Sequence, residues 1–209
     1  MGSSGGDRSS VRRERILEAA AEVLAEDGFE RITTRRIAQA AGVNVATLHY
    51  HFGGKEALLA AAMQHALYRT EGILREAMRA AASPKEALEL AFDAVWRIIT
   101  ERPGVLRYDL VLRALRDPAA RRTANEVYAA YRRLVEDLVE QHVAGGGALT
   151  DGMTPPRIGH YAVAAVDGIL LQYLVSEDHV AARDSLDLVR RHTLSFLIPA
   201  APPAADGAV

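Results

Sequence analysis

The chain has 209 residues, no cysteine and a formal net charge of −2, from 25 Lys and Arg against 27 Asp and Glu. At about 100–200 residues per domain, this length allows one or two domains with a buried core. The 49% hydrophobic content excludes a mainly disordered chain, and the lack of cysteine excludes a disulfide scaffold or a Cys-ligated zinc module. The polar stretch 1–10 is unlike a signal peptide, and no apolar run approaches the roughly 20 residues that span a bilayer.

The spacing of apolar residues predicts an all-α protein. Ile16, Ala20 and Leu24 lie on one face of the first predicted helix, and proline follows a capping residue at Ser83-Pro84, where its missing N–H costs nothing. No stretch shows the alternation that is typical of a strand. We therefore predict nine helices, at about 9–27, 33–41, 45–51, 55–81, 84–101, 104–115, 118–143, 155–176 and 179–198.

The order of these helices predicts a small N-terminal domain followed by a larger helical one. We place a disordered arm at 1–8, the N-terminal domain at 9–55, the C-terminal domain at 56–198 and a disordered Ala/Pro-rich tail at 199–209.

The most informative stretch runs from Thr33 to Lys55 and reads TTRRIAQAAGVNVATLHYHFGGK. Gly42 lies where a helix must end with a positive φ, and Asn44 is a good N-cap for the helix that follows. The stretch therefore predicts a helix, a short turn and a second helix, the unit whose second helix enters the major groove of DNA. The predicted inward residues are Ile37, Ala38 and Ala41 in the first helix and Val45 or Leu48, with Phe52, in the second.

The outward residues of this unit have the chemistry that DNA binding needs. Arg35 and Arg36 project from the first helix, and Arg is the commonest reader of guanine edges. The second helix offers hydrogen-bonding groups for phosphates and bases at Thr47, His49, Tyr50 and His51. Lys55 begins the next helix, where its charge and the helix amides can hold a phosphate. Solvated surface for the two arginines and half-buried packing for Tyr50 remain as alternatives.

This stretch resembles the DNA-binding domain of the TetR family of repressors. The family signature T-T-x-x-I-A-x-x-A-G-V, T-L-Y-x-H/Y-F and K-E-x-L is matched in one register from Thr33 to Leu58 except at His49, and the resemblance covers about residues 11–60. It implies a cytoplasmic, homodimeric, ligand-responsive transcriptional regulator, most simply a repressor, that is released from a palindromic operator by a small-molecule effector. The expected partners are double-stranded DNA, a second copy of the chain and that effector, with no cofactor, metal or membrane.

The resemblance also assigns roles to individual residues. Phosphate contacts would come from Thr34, Thr47, Tyr50 and Lys55, Arg35 would read a base, and the opening of the second helix would set sequence preference. His49 stands where the family usually has Tyr, and imidazole has the shorter reach. The predicted DNA-binding set is Thr33, Thr34, Arg35, Arg36, Asn44, Val45, Ala46, Thr47, His49, Tyr50, His51 and Lys55.

The charge distribution fits this assignment. Residues 8–55 hold eight basic and six acidic side chains, a charge of +2, which leaves −4 for the rest of the chain. Arg8, Arg12 and Arg13 can reach the DNA backbone from the N-terminal side.

The C-terminal domain offers weaker signals. Aromatic and polar residues on its helices predict an effector pocket lined by Met63, Trp96, Tyr108, Tyr128, Tyr131, Tyr161 and Gln172. The last two helices are expected to form the dimer interface through Ala162, Ala165, Ile169, Tyr173, Leu186, Val189, Leu194 and Leu197.

Two other classes of protein were compared with this hypothesis. An all-helical enzyme has no support, because the chain has no HExxH, GxSxG or phosphate-loop motif. A ligand-binding or protein-interaction module that has lost DNA binding has one hint, the replacement at His49.

Overall fold

The computed structural model describes residues 4–100 and 104–200 of the chain. This part folds into nine helices and one pair of two-residue strands, which confirms the all-α class. The elements are α1 (Ser4–Arg31), α2 (Thr34–Ala40), α3 (Val45–Phe52), α4 (Lys55–Arg79), α5 (Pro84–Thr100), α6 (Gly104–Ala114), α7 (Pro118–Ala144), β1 (Ala148–Leu149), α8 (Pro155–Ser176), α9 (His179–Ser195) and β2 (Leu197–Ile198).

The N-terminal boundary differs from the prediction. Helix α1 begins at Ser4, so residues 4–8 are helical rather than part of a disordered arm. No proline interrupts this stretch. Gly28 has non-helical angles (φ 72°, ψ 166°), so the regular helix breaks at the predicted stop, although helical geometry resumes as far as Arg31. Residues 201–209 of the predicted tail lie outside the described residues.

The end of α9 also differs from the prediction. The helix ends at Ser195 instead of residue 198, and Leu197 and Ile198 pair antiparallel with Leu149 and Ala148. The ring nitrogen Nε2 of His142 lies 2.9 Å from the carbonyl oxygen of Ile198 and holds this strand. A two-residue pairing is too short to produce the alternation by which a strand is predicted.

Capping residues define the helix starts as the sequence predicts. The Thr154 hydroxyl accepts a hydrogen bond from the Arg157 N–H (3.4 Å), and the Ser83 hydroxyl accepts one from the Glu86 N–H (3.1 Å). The Glu86 carboxylate in turn accepts from the Ala82 N–H (2.7 Å), one residue before the position it takes in a standard capping box.

The chain divides into two compact units. The first comprises Met1–Gly72 and Ile98–Val127, and in it α1 packs against α2 and α6. This division does not follow the predicted boundary at residue 55, because α6 and most of α4 belong with the three N-terminal helices. The fully buried large side chains of this unit include Ile16, Leu24, Ile32, Ile37, Leu48, Leu58, Leu59 and Met63.

The second unit comprises Ile73–Arg97 and Tyr128–Val209, and α8 and α9 form its main helix pair. Its core is an apolar cluster of Ala87, Leu88, Leu138, Val139, Ile158 and Leu197.

Helix α8 is more apolar than the sequence analysis recognised. Its most apolar 18-residue window has a mean hydropathy of 1.4, yet only 22% of that window is buried. By length and composition the helix could cross a membrane, but a single such helix is weak evidence, since helices of water-soluble proteins pass the same test.

Gly159 permits a close approach between α7 and α8. A Cβ atom at this position would lie 3.1 Å from the carbonyl oxygen of Arg132 and 3.0 Å from Cγ of Glu136. The Glu136 side chain can move away, but the backbone oxygen can do so only if the helices separate. Gly72, in α4, has nothing within 4 Å of such a Cβ atom.

We expect Gly159→Ala to lower the free energy of unfolding by about 1–3 kcal/mol through overpacking. Gly72→Ala, the matched control, should instead raise it by up to about 1 kcal/mol through the higher helix propensity of Ala. Urea denaturation of both variants measures the difference. Equal stabilisation by the two substitutions would contradict the close packing of α7 and α8.

Candidate nucleic-acid interface

The turn between α2 and α3 is built by backbone hydrogen bonds. The Val43 N–H donates to the Ala38 carbonyl (2.9 Å) and the Gly42 N–H to the Gln39 carbonyl (3.2 Å), which is the Schellman pattern. Gly42 has φ 62°, the left-handed conformation that this pattern requires and that side chains with a Cβ atom disfavour. The turn therefore has one defined geometry.

Side-chain caps fix the start of each helix in this unit. Oγ1 of Thr33 accepts from the Arg36 N–H (3.2 Å), and Oδ1 of Asn44 accepts from the Thr47 N–H (2.8 Å). The Thr47 hydroxyl also donates to Oδ1 of Asn44 (2.8 Å). The hydroxyl proton of Thr47 is therefore already engaged, and the phosphate contact implied by the resemblance requires this bond to be exchanged.

Helix α3 has one buried and one exposed face. Of the two predicted anchors, Leu48 is buried and Val45 only half-buried. Tyr50 is 86% exposed, which is inconsistent with the alternative that it is half-buried packing. Ala46 and His49 are also exposed, so the outer face of α3 is open to a ligand.

The two arginines of α2 have different surroundings. Arg36 forms ion pairs with Glu26 (3.3 Å) and Asp27 (3.7 Å) near the end of α1. Arg35 is exposed and, within the described part of the chain, has no hydrogen-bond or carboxylate partner. Helix geometry places adjacent side chains about 100° apart, so one arginine faces α1 while the other faces solvent. Arg36 is thus held by its own protein, and Arg35 is the arginine available to DNA.

The histidines of α3 lie in dissimilar environments. His49 is exposed, and its Nδ1 is 3.5 Å from the Gly53 carbonyl oxygen, at the limit of a hydrogen bond. The half-buried His51 ring packs edge-to-face on Tyr50, with centroids 5.3 Å apart. The neighbouring Phe52 ring is covered by the Arg13 guanidinium, 5.2 Å from its centroid.

A cleft of about 430 Å³ lies between the N-terminal part of α1 and the outer face of α3. None of the described residues that line it carries a carboxylate. The lining residues are Ser9, Arg12, Asn44, Ala46, Thr47, Tyr50 and His51. From the sequence, Arg12 was predicted only to reach the DNA backbone. The wall that α1 forms beside α3 was not predicted, because the helix begins earlier than expected, at Ser4.

Two more residues of the predicted set lie at helix starts. Thr34 begins α2 and Lys55 begins α4, both with half-buried side chains. Lys55 has no carboxylate partner among the described residues, so its ammonium group is available to an anion.

The residues predicted for the effector pocket are divided between the two units. Met63 and Tyr108 belong to the first unit and the other five to the second. Met63 and Tyr131 are buried, while Gln172 is exposed. The Tyr161 hydroxyl is 2.7 Å from Nδ1 of His192, so it already has a polar partner.

Trp96, another residue of the predicted pocket, lies in a charged environment. The Arg183 guanidinium is 5.3 Å from the Trp96 ring centroid and 3.4 Å from the Asp93 carboxylate. His179 contacts the same ring edge-to-face.

The predicted dimer residues include several that are unavailable for a dimer. Buried within the single chain are Ala162, Ile169, Leu186 and Leu197, while Ala165, Tyr173, Val189 and Leu194 are half-buried. Four of the eight predicted residues therefore belong to the core of the protomer, and the other four keep partial exposure. The exposed apolar side chains of α8 and α9 are Leu171 (51%), Val175 (84%), Val180 (72%) and Leu188 (61%).

Comparisons with known proteins agree with this architecture. A family model described as bacterial regulatory proteins, tetR family, matches residues 16–62. A second, described as BetI-type transcriptional repressor, C-terminal, matches residues 84–197, more than half of the chain. The HTH-type transcriptional regulator BetI of Rhizobium meliloti (strain 1021) is 29% identical over 189 residues, which cover 90% of each protein. The HTH-type transcriptional regulator BetI of Brucella suis (strain ATCC 23445 / NCTC 10510) is 28% identical over 182 residues, which cover 82% of this chain and 90% of that protein.

Solved structures share the fold. A TetR transcriptional regulator from Chloroflexus aurantiacus J-10-FL superposes with a TM-score of 0.79 at 16% identity, covering 93% of this chain and 100% of its own. The transcriptional regulator FadR from Bacillus subtilis, in complex with stearoyl-CoA, has a TM-score of 0.67 at 21% identity, covering 84% and 96%.

The different surroundings of Arg35 and Arg36 lead to a prediction. Arg35→Ala should relax base preference at one position of a bound DNA site, at a cost of about 1–3 kcal/mol in discrimination. Arg36→Ala should keep that preference and lower the free energy of unfolding by less than about 1 kcal/mol, because its ion pairs are exposed. Binding-site selection and denaturation of both variants measure these effects. Altered base preference in Arg36→Ala alone would reverse the assignment.

Proposed function

Because the chain belongs to the TetR family of bacterial regulatory proteins and is a DNA-binding transcriptional regulator, we propose that it is a homodimeric repressor that leaves a palindromic operator when a small molecule binds. The observation that carries this proposal is the exposed polar face of α3, held by caps and a defined turn, with Tyr50 86% exposed. A helix fixed in this way presents its side chains to a DNA groove at little entropic cost.

The proposed division of DNA contacts follows from the position of each residue. Val45 and Ala46 open α3, the part of a recognition helix that meets base edges. The carbonyl oxygen of the Asn44 side chain is used as a cap, which leaves its amide NH₂ to donate to a base or phosphate. Arg35 would read guanine, and Lys55 with the first amides of α4 would bind a phosphate.

The proposed dimer uses the outer face of α8 and α9. Leu171 and Val175 lie one turn apart on α8, and Leu188 is exposed on α9. The most apolar 18-residue window of α8 has a mean hydropathy of 1.4, yet only 22% of it is buried within its own chain. Such exposed apolar surface favours contact with a partner. A second copy related by a two-fold axis would cover these residues and would place two α3 helices about one DNA turn apart, roughly 34–36 Å.

The proposed effector site lies in the C-terminal domain, at 56–198. The match to a BetI-type repressor C-terminal model over residues 84–197 supports a ligand-binding role, and the B. subtilis neighbour is described with bound stearoyl-CoA. Of the predicted lining residues, Trp96, Tyr128 and Tyr131 remain candidates in the second unit. We place the protein in the cytoplasm, where its DNA target is.

Release from DNA is proposed to be a shift between two conformations of the dimer. An effector that binds better to the conformation with wrongly spaced α3 helices lowers DNA affinity by the ratio of its two affinities. Helix α4 is the proposed lever, because it begins with Lys55 in the first unit and continues past Gly72 into the second.

The proposed function predicts that the protein binds DNA selectively. Selection from a randomised duplex library by the purified protein should enrich inverted repeats with half-site centres about 10 base pairs apart or slightly more. Affinity for the enriched duplex should fall linearly on a log–log plot against salt, with a slope of about −0.9 for each phosphate contacted. Enrichment of no sequence over a pool carried through without protein would refute the proposed function.

The proposed dimer predicts the oligomeric state of the protein and of its variants. Light scattering should give about twice the chain mass of 22.6 kDa for the unmodified protein. Leu171→Glu and Leu188→Glu should each yield a folded monomer, because a dimer interface would bury the new charge without a partner. Leu112→Glu, at a 62% exposed leucine of α6, is the matched control and should remain dimeric. If Leu112→Glu were monomeric while Leu171→Glu and Leu188→Glu remained dimeric, the interface would lie elsewhere.

A further inference from the structure

Two adjacent arginines on α1 have different surroundings. The Arg13 guanidinium lies over the Phe52 ring at 5.2 Å, so it links α1 to the end of α3. Arg12 lines the cleft between the same two helices and, in the part of the chain that the structure describes, has no carboxylate partner. One arginine is therefore part of the packing, and the other presents an unpaired charge to the cleft.

The cleft has the chemistry of a phosphate site. Ser9 and Arg12 are three residues apart and lie on one face of α1, while Tyr50 and His51 form the opposite wall on α3. All four side chains can donate hydrogen bonds, and none of the described lining residues is a carboxylate that would repel an anion. Because α1 begins at Ser4, Arg12 lies more than two turns inside a helix, and less conformational entropy is lost when it binds.

We propose that this cleft receives the phosphodiester backbone of one DNA strand and that Arg12 is a further DNA-contacting residue, bonded to a phosphate. The inference rests on the proposed function, since it assumes that the outer face of α3 meets DNA. Tyr50 and Asn44 line the cleft and belong to the predicted DNA-binding set, so a strand beside α3 passes Arg12. The contact carries no sequence information and fixes the orientation of α3 in the groove.

The test compares Arg12→Ala with Arg15→Ala. Arg15 lies one turn further along α1, is exposed and does not line the cleft, so its removal takes the same charge from the same helix. Affinities for the selected inverted repeat and for a scrambled duplex are measured by fluorescence anisotropy over a salt series. Arg12→Ala should weaken both about tenfold and reduce the magnitude of the salt slope by about 0.9 per protomer. Arg15→Ala should leave both slopes unchanged, and Arg12→Lys should restore the slope.

Each other outcome overturns the proposal. Wild-type affinity and slope in Arg12→Ala would exclude the phosphate contact while leaving the proposed function intact, because the wild type would still bind its duplex. Weakening on the inverted repeat alone would make Arg12 a base-reading residue. Inorganic phosphate added at constant ionic strength should not displace DNA from the wild type. If it displaced DNA from the wild type but not from Arg12→Ala, the cleft would be a site for free phosphate. A wild type that binds no duplex would refute the proposed function itself.

Discussion

The turn between α2 and α3 is the constraint on which the recognition surface depends. Its Schellman hydrogen bonds require the left-handed conformation at Gly42, and Asn44 then fixes the first residue of α3. Because each residue of a helix turns by about 100°, starting α3 one residue earlier or later would rotate its side chains by about that angle and turn Leu48 away from the core. The exposure of Tyr50 and the burial of Leu48 are therefore consequences of the turn and the cap, two features outside the helix itself.

The affinity of the N-terminal domain for anions depends on which of its charged side chains are paired, more than on its net charge. The formal +2 of residues 8–55 includes Arg36 and Arg13, which the protein uses to hold α2 and α3 against α1. It also includes Glu26 and Asp27, which are engaged with Arg36. Among the described residues, Arg12 in the cleft beside α3 and the exposed Arg35 have no carboxylate partner. A modest net charge thus coexists with a local field suited to phosphates, because Arg36 neutralises Glu26 and Asp27 while Arg12 stays available in the cleft.

Prediction from sequence succeeded where a local signal decides the structure and failed where two solutions have the same pattern. Gly42 and Asn44 specify the turn through their own conformational preferences, so the turn and the start of α3 at Val45 agree with the prediction. The other helix ends of the helix-turn-helix unit differ from the predicted ones by one residue. The pairing of the two-residue strands β1 and β2 has no periodicity to detect. Helix α8 is apolar on both faces, and hydrophobic spacing alone does not tell which face packs inside the protomer. The burial of Ile169 and exposure of Val175 are consequences of tertiary packing. The DNA-contact roles assigned to individual residues stay predictions.

The proposed regulator works through the spacing of two heads, each formed by α1, α2 and α3 of one protomer. It needs a rigid structure within each head and a flexible connection between the heads. Within each head, the caps and the turn leave α3 a single orientation, so a ligand has little to gain by distorting it. Two heads linked in a dimer bind a double site with an effective concentration set by their separation, and a small change of spacing removes most of that gain. An effector therefore needs only a modest differential affinity to release the dimer, provided that the movement is confined to residues outside the head. In the proposed dimer, helix α4, which starts at Lys55 and runs through both units, is the proposed element whose displacement converts ligand binding into a change of spacing.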